Sequence, residues 1–167
     1  QALQHGRATD QDLQKLLASD KGREQRQIHW LPAHGEPVAH TGKSCIDWCG
    51  HLAGPDYSLA GNMLAGPQVL QETANAFVAA QGLPLAPRLI LAMKAGERAG
   101  GDKRGKQSAA LRIHGDEDYP QLDLRVDDHE EPLDELQRLY DKSLERFQPF
   151  VACLPGRHDP SGITDRN

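Results

Sequence analysis

The sequence predicts a mixed α+β fold in which helices cover an antiparallel sheet. Three observations support this prediction. Strand-like and helix-like segments occur in groups and do not alternate as parallel βαβ units would. Short apolar runs are separated by turn formers, and longer segments carry apolar residues at helical spacing. The 167 residues suffice for one domain with a sizeable core, which we expect over residues 1–147.

The N-terminal elements are a helix and a hairpin. Thr9 begins a plausible capping segment for a short amphipathic helix that ends near Ser19. Its apolar face would carry Leu13, Leu16 and Leu17. The extended runs 26–31 and 37–41 flank a polar connector that contains Gly35, so a β-hairpin is expected.

The middle of the chain alternates loops with longer elements. The glycine-rich stretch 42–61 predicts a loop that runs into a strand over 57–64. Gly66-Pro67 favours a helix start, and Gly82 favours its end. A second helix is expected after Pro87, followed by a charged, glycine-rich loop at 96–106.

The C-terminal part repeats the hairpin and helix pattern. Runs 108–114 and 122–126 predict two strands joined by a turn. Pro132 occupies a favourable first helical position, and apolar residues recur from there to Phe147. Residues 148–167 contain proline and glycine without periodicity, which predicts an irregular tail.

Composition excludes several classes of function. The net charge is −5 and the basic residues are dispersed, so no nucleic-acid footprint is expected. No apolar run approaches the roughly 20 residues that span a bilayer, so no membrane partner is expected. Three cysteines cannot all pair within the chain, which favours a reducing, cytoplasmic setting.

A group of soft ligands stands between residues 40 and 51. Cys45, Cys49, His51 and His40 together offer four zinc ligands. The spacing lacks a second CxxC or HxxxH pair, and free cysteines commonly pack as small apolar residues. We therefore predict neither a metal nor a cofactor.

The segment 100–108 resembles a phosphate-binding loop only in part. Gln107 stands where such a loop carries Ser or Thr, and the segment leads into a strand instead of a helix. Two interpretations stay open. The glycines allow backbone to approach a ligand, with Asp102, Arg104 and Gln107 as polar contacts. Alternatively the segment is a solvated connector.

Asn62 lies between an apolar strand and the Gly-Pro helix start. An amide there can stabilise a developing oxyanion, or it can cap the following helix. Asp127-Asp128-His129 offers a carboxylate and imidazole pair, although a role at the entrance of the next helix is favoured.

Six ordered runs resemble a bacterial family catalogued as domain of unknown function 1028. They are residues 20–27, 39–42, 45–51, 61–66, 99–109 and 124–129. The resemblance extends to about Phe147. That family resembles the N-terminal-nucleophile (Ntn) hydrolases, in which two antiparallel sheets lie between helix layers.

The resemblance implies amide hydrolysis or acyl transfer by a chain-terminal Thr, Ser or Cys. Gln1 fits no such role, so we expect the αββα sandwich to be incomplete at its N-terminus. We also expect either a homo-oligomer or a missing N-terminal segment as partner. By position in the matching motifs, the catalytic candidate is Asn62. The substrate-binding candidates are Asp102, Arg104, Gln107, His40 and Thr41.

Two hypotheses for function follow. The first is an Ntn-type amidohydrolase acting on a small amide or peptide-like molecule, inactive without its terminal nucleophile. The alternative is a non-catalytic domain that binds a small molecule or has a structural role. Ligand-dependent thermal stabilisation without turnover would favour the second hypothesis.

Overall fold

The computed structural model describes residues 9–163, which form an α+β fold. Its five α-helices within that range are α1 (Asp10–Ser19), α2 (Gln68–Ala79), α3 (Leu85–Arg98), α4 (Pro132–Glu145) and α5 (Phe147–Val151). Its strands are β1 (Gln27–Trp30), β2 (Val38–Thr41), β3 (Gly50–Gly54), β4 (Tyr57–Gly61), β5 (Ala109–His114) and β6 (Pro120–Val126). A short 3-10 helix spans Arg23–Gln25. None of these helices is long and apolar enough to cross a membrane.

The strands pair as three antiparallel hairpins: β1 with β2, β3 with β4, and β5 with β6. The first and third hairpins confirm the predictions from sequence. The chain divides into two compact units. Among the described residues, the first unit comprises 9–78 together with Ala95–Gly105, and the second comprises Ala79–Lys94 together with 106–163.

The first unit contains the four N-terminal strands. Thr9 caps α1 as predicted: its hydroxyl accepts from the amide of Asp12, whose carboxylate accepts in return from the Thr9 amide. In the same unit β1 contacts β4 and β2 contacts β3, so the two hairpins pack together. A hydrogen bond between His29 Nδ1 and Ser58 Oγ, 2.9 Å long, links β1 to β4.

The second unit is organised around an apolar core. Helices α3 and α4 and the β5–β6 hairpin contribute its buried side chains: Ala86, Ile90, Leu111, Leu122, Val126 and Leu136. Pro132 occupies the first turn of α4, as predicted. His129 Nδ1 accepts from the Glu131 amide at 2.9 Å just before that helix. This contact agrees with the structural role favoured for His129.

The structure corrects three predicted boundaries. Strand β3 lies inside the predicted loop 42–61, because pairing with β4 overrides its weak local propensity. Helix α3 begins at Leu85 and continues through Gly96, so the predicted loop starts only after Arg98. Gly96 lies within that helix where it faces α2, and a Cβ at this position would lie only 2.2 Å from Thr73 Oγ1. Close helix packing in the first unit requires this glycine.

The C-terminal segment is also more regular than predicted. A short helix, α5, occupies Phe147–Val151, and the Cys153 amide donates to Phe150 O beyond it. Pro149 falls within the first turn of α5, where no internal hydrogen bond from its nitrogen is needed. Proline content therefore did not exclude helix here.

Candidate functional site

The candidate site lies in the first unit, where the ends of two hairpins meet. Gln27 and Thr41 form the last pair of the β1–β2 hairpin, and Gly50 and Gly61 form the last pair of β3–β4. Asn62 follows β4 directly. We call Gln27, Thr41, His51 and Asn62 the hairpin-end cluster.

The Gln27 carboxamide joins the two hairpins. Its Nε2 lies 3.0 Å from Gly50 O, 2.9 Å from Gly61 O and 3.0 Å from Thr41 Oγ1. Because carbonyl oxygens only accept, the nitrogen end of this amide must face the two glycines. Its other end, Oε1, accepts from Asn62 Nδ2 at 3.2 Å. Gln27 thus fixes the position of Asn62 relative to both hairpins.

Thr41 and His51 form a hydroxyl and imidazole pair within this cluster. Thr41 Oγ1 lies 2.9 Å from His51 Nδ1. In the tautomer that carries its hydrogen on Nε2, His51 Nδ1 accepts the Thr41 hydroxyl hydrogen. Such a contact has the geometry of a hydroxyl nucleophile beside a general base.

The Asn62 side chain can donate a second hydrogen bond. The side-chain amide of Asn62 has two hydrogens, of which one is directed to Gln27 Oε1. The residue is exposed, so the other hydrogen is accessible to a bound molecule. An amide held at one end and open at the other is suited to donating to a carbonyl oxygen or oxyanion.

A second loop lies against the Asn62 segment in the same unit. Lys103 donates its amide to Met63 O at 2.9 Å, and the Ala65 amide donates to Gly101 O at 2.9 Å. Met63 adopts a positive φ of 55°, the left-handed region that a non-glycine residue enters at a cost. The Lys103 ammonium group also donates to the carbonyl of Asp47. The predicted Asn62 and Asp102 segments are therefore neighbours.

The Asp102 carboxylate is occupied within its own loop. Asp102 Oδ1 accepts from the Arg104 amide at 2.8 Å, and Oδ2 accepts from Arg104 Nη2 at 2.5 Å. Hydrogen bonds from Arg104 lower the pKa of Asp102 from 3.8 to about 2. This pair orders the loop, and the lowered pKa keeps the carboxylate ionised in mildly acidic solution as well.

The other predicted site residues are not brought to the cluster. His40 and Thr41 are neighbours on β2 and therefore point to opposite faces. His40 Nε2 lies 2.9 Å from Arg23 O, on the side of the 3-10 helix. Gln107 belongs to the second unit, where its Nε2 donates to Asp128 Oδ1 at 3.2 Å.

The four potential zinc ligands also have separate surroundings. Cys49 Sγ donates to Cys45 O at 3.8 Å, and desolvation raises the pKa of the Cys49 thiol. His51 contacts Thr41, whereas His40 contacts Arg23. Within residues 9–163, no three His, Cys, Asp or Glu side chains converge as a metal site.

Sequence reasoning missed Gln27 as a member of the site and weighed His51 only as a metal ligand. In the sequence, Gln27 directly precedes the apolar residues Ile28 and Trp30 of a predicted strand. An amide at the start of such a strand needs hydrogen-bond partners, and this was a usable signal. The pairing of His51 with Thr41 depends on contact between two hairpins. No spacing along the chain encodes that contact.

The fold and the cluster define an α+β protein with a hydroxyl, an imidazole and two amides at the meeting point of two hairpins. The model of the family of unknown function DUF1028 matches residues 1–136, and the chain belongs to this family. The sequence prediction of this family is confirmed.

A solved structure of the same family resembles the whole chain. The crystal structure of protein SPO2555 from Silicibacter pomeroyi, a DUF1028 protein, is 30% identical and superposes with a TM-score of 0.84. The similarity covers 98% of this chain and 75% of that one. No match to this chain is found among curated proteins.

Proposed function

We propose that this protein transfers acyl groups from amides to water, as an amidohydrolase acting on a small amide or peptide-like molecule. The observation that carries the proposal is the position of the Asn62 amide, whose Nδ2 lies 3.2 Å from Gln27 Oε1. The same Gln27 side chain contacts Thr41, which is paired with His51. An amide donor next to an acid/base pair is what the tetrahedral intermediate of acyl transfer requires.

The reaction proceeds in two balanced steps. A nucleophile bonds to the substrate carbonyl carbon, and the carbonyl oxygen becomes an oxyanion that accepts from Asn62 Nδ2. The intermediate then collapses, the C–N bond breaks, and the leaving amine takes the proton that the nucleophile lost. Water hydrolyses the acyl intermediate and restores the nucleophile.

Two groups are candidates for the nucleophile. Resemblance to the Ntn hydrolases favours a chain-terminal Thr, Ser or Cys that uses its own α-amine as base, and the three antiparallel hairpins with their helices are compatible with an αββα sandwich. Thr41, with His51 as its base at 2.9 Å, is the candidate within the described residues. The chemistry expected of Asn62 is the same for both.

Kinetics with small amides tests the proposal. The assay follows release of the amine from a panel of N-acyl amino acids and amino-acid anilides. Asn62→Ala should lower kcat about a hundredfold with little change in KM, because an oxyanion donor acts mainly in the transition state. Asn75→Ala is the matched control, since the Asn75 side chain is exposed on α2 and forms its hydrogen bonds with Gln71 and Glu72 of the same helix.

Three results would count against this function. Wild-type protein that turns over no member of the panel would oppose catalysis with Thr41 as the nucleophile, and undiminished activity of Asn62→Ala would oppose the role of Asn62. Equal losses in Asn62→Ala and Asn75→Ala would indicate damage to the fold. Thermal stabilisation by an amide without turnover would instead support a non-catalytic binding domain.

A further inference from the structure

The second unit has a groove that the proposed function does not use. It measures about 470 Å³ and lies where α4 gives way to α5, beside β6. Leu124 from β6, Leu139 from α4 and Phe147 from α5 form its apolar lining. The Phe147 side chain is 45% exposed, while Leu124 and Leu139 are half-buried at the edge of the core. Its volume is within the range of roughly 300–1,000 Å³ that small-molecule sites have.

The four charged residues that line the groove carry no net charge, but three of them already have ion-pair partners. Asp123 is paired with Arg112, whose Nη2 lies 2.5 Å from Asp123 Oδ2. Lys142 and Glu145 are paired with each other, with a distance of 2.7 Å from Nζ to Oε2. The Arg146 guanidinium has no hydrogen bond or ion pair to any of residues 9–163, although its backbone carbonyl accepts from the Phe150 amide. Arg146 is therefore the one charged residue of the lining whose side chain has no partner within the described residues.

The backbone turns at Arg146. This residue has φ −141° and ψ −44°, and it separates the end of α4 from the start of α5. The turn places both Arg146 and Phe147 on the lining of one groove. Ser143, the buried polar residue in the lining, is already satisfied: its hydroxyl donates to Tyr140 O at 2.6 Å and accepts from Gln148 Nε2 at 2.9 Å. Arg146 is thus the group available to a ligand.

We propose that this groove binds a small organic anion that carries an apolar tail, such as a medium-chain carboxylate. The tail packs against Leu124, Leu139 and Phe147, and the carboxylate accepts hydrogen bonds from Arg146. A planar guanidinium matches a carboxylate in a bidentate arrangement and is always charged. This site is independent of the proposed amide hydrolysis, which uses residues of the first unit.

Calorimetric titration of the whole protein with three octyl compounds tests this proposal. Octanoate, octylamine and octan-1-ol share one tail and differ in the charge of the head group. Octanoate should bind most tightly, and octylamine should bind at least about tenfold more weakly, since Arg146 repels an ammonium group. High salt should weaken octanoate binding and leave octanol unchanged.

Variants of two arginines on the same part of the chain separate the site from the general charge of the surface. Arg146→Gln should weaken octanoate binding about tenfold, whereas Arg138→Gln should leave it unchanged. Arg138 is the control because it pairs with Glu135 and does not line the groove. Phe147→Ala should weaken octanoate and octanol alike, because both compounds share the tail.

Several outcomes would overturn the proposal. They are absence of octanoate binding by the wild-type protein, equal affinity for octylamine, and unchanged affinity in Arg146→Gln. Equal weakening in Arg146→Gln and Arg138→Gln would assign binding to surface charge in general. Circular dichroism and thermal melting of each variant confirm that the fold is intact.

Discussion

The core of the second unit and the candidate site of the first unit are stabilised in different ways. The second unit has a contiguous core, in which Ile90 and Leu136 are 0% exposed. In the first unit, the carboxamide of Gln27 joins the two hairpins at the candidate site, and Gly42 allows the backbone to approach Glu24 closely. Burial of apolar side chains stabilises the core of the second unit, whereas hydrogen bonds to partly buried polar groups stabilise the candidate site of the first unit.

This difference determines what a substitution should do in each unit. Loss of a core side chain leaves a cavity, and its cost scales with the volume removed. Loss of an interior hydrogen-bond donor leaves carbonyl groups unpaired, and its cost is that of desolvated polar groups. The comparison therefore predicts a ranking of effects, from the core of the second unit to the loop beside Asn62.

The largest effect is expected in the core of the second unit. Leu136→Ala should lower the free energy of unfolding by about 2–5 kcal/mol, because Leu136 is fully buried. Leu144→Ala on the same helix is the control: Leu144 is 47% exposed, and its loss should cost less than about 0.5 kcal/mol. Urea unfolding followed by circular dichroism measures both. Similar values for the two variants would contradict the assigned core.

A glycine of the first unit should give the next largest effect. A Cβ on Gly42 would lie 2.3 Å from Glu24 O, so Gly42→Ala must displace backbone. We expect a loss of about 1–3 kcal/mol, which is typical of overpacking. Gly82→Ala introduces the same methyl group where no atom lies within 4 Å, and it should not destabilise the protein. Equal thermal stability of the two variants would mean that this close approach is absent.

A substitution of Gln27 tests whether hydrogen bonds stabilise the candidate site of the first unit. Gln27→Ala removes the donor that faces the carbonyls of Gly50 and Gly61, so the free energy of unfolding should fall by about 1–3 kcal/mol. Gln25→Ala, at an exposed position in the 3-10 helix, should have little effect. Urea unfolding followed by tryptophan fluorescence reports on this unit, since Trp30 and Trp48 both belong to it. An unchanged transition in Gln27→Ala would show that the hairpins meet without this amide.

The smallest effect is expected at Asp102 and depends on pH. Its pKa is lowered to about 2 in the folded protein, so the Asp102–Arg104 pair stabilises the fold above about pH 4. That contribution is lost as the pH falls through 2. Asp102→Asn should cost about 1 kcal/mol at pH 7, because Arg104 is exposed and the pair is screened. The difference from wild type should vanish near pH 1.

Denaturation at several pH values measures this prediction. Asp56→Asn, in the exposed turn between β3 and β4, is the control for the loss of one surface carboxylate. A difference between wild type and Asp102→Asn that persists at pH 1 would contradict the assigned pair.

The same contrast explains which features could be predicted from the sequence. Helix α4 and the β5–β6 hairpin were predictable because the residues that form the core recur in the sequence at the spacing of a helix or a strand. Strand β3 was not, because Gly50 and Gly54 give it no local signal and its partner β4 defines it. Helix α3 was predicted too short, since packing of Gly96 against Thr73 overrides the tendency of glycine to end helices.

The candidate site was predictable in part for the same reason. Asn62 and Asp102 were singled out from their own motifs, and backbone hydrogen bonds join their segments. Gln27 and His51 reach the site only through contacts between hairpins, which a linear motif does not reveal. Gln107 follows Asp102 closely in sequence, yet the boundary between the two units falls between them.

Covalent trapping tests the central claim, that Asn62 stabilises an acyl-transfer oxyanion, most directly. Intact-mass spectrometry after mixing with an activated acyl ester measures the rate at which one acyl group is added. We predict a single adduct in the wild-type protein, formed about a hundredfold more slowly in Asn62→Ala and at the wild-type rate in Asn75→Ala. Peptide mapping then assigns the nucleophile to Thr41 or to a chain-terminal residue. Absence of an adduct, or equal rates in wild type and Asn62→Ala, would contradict the claim.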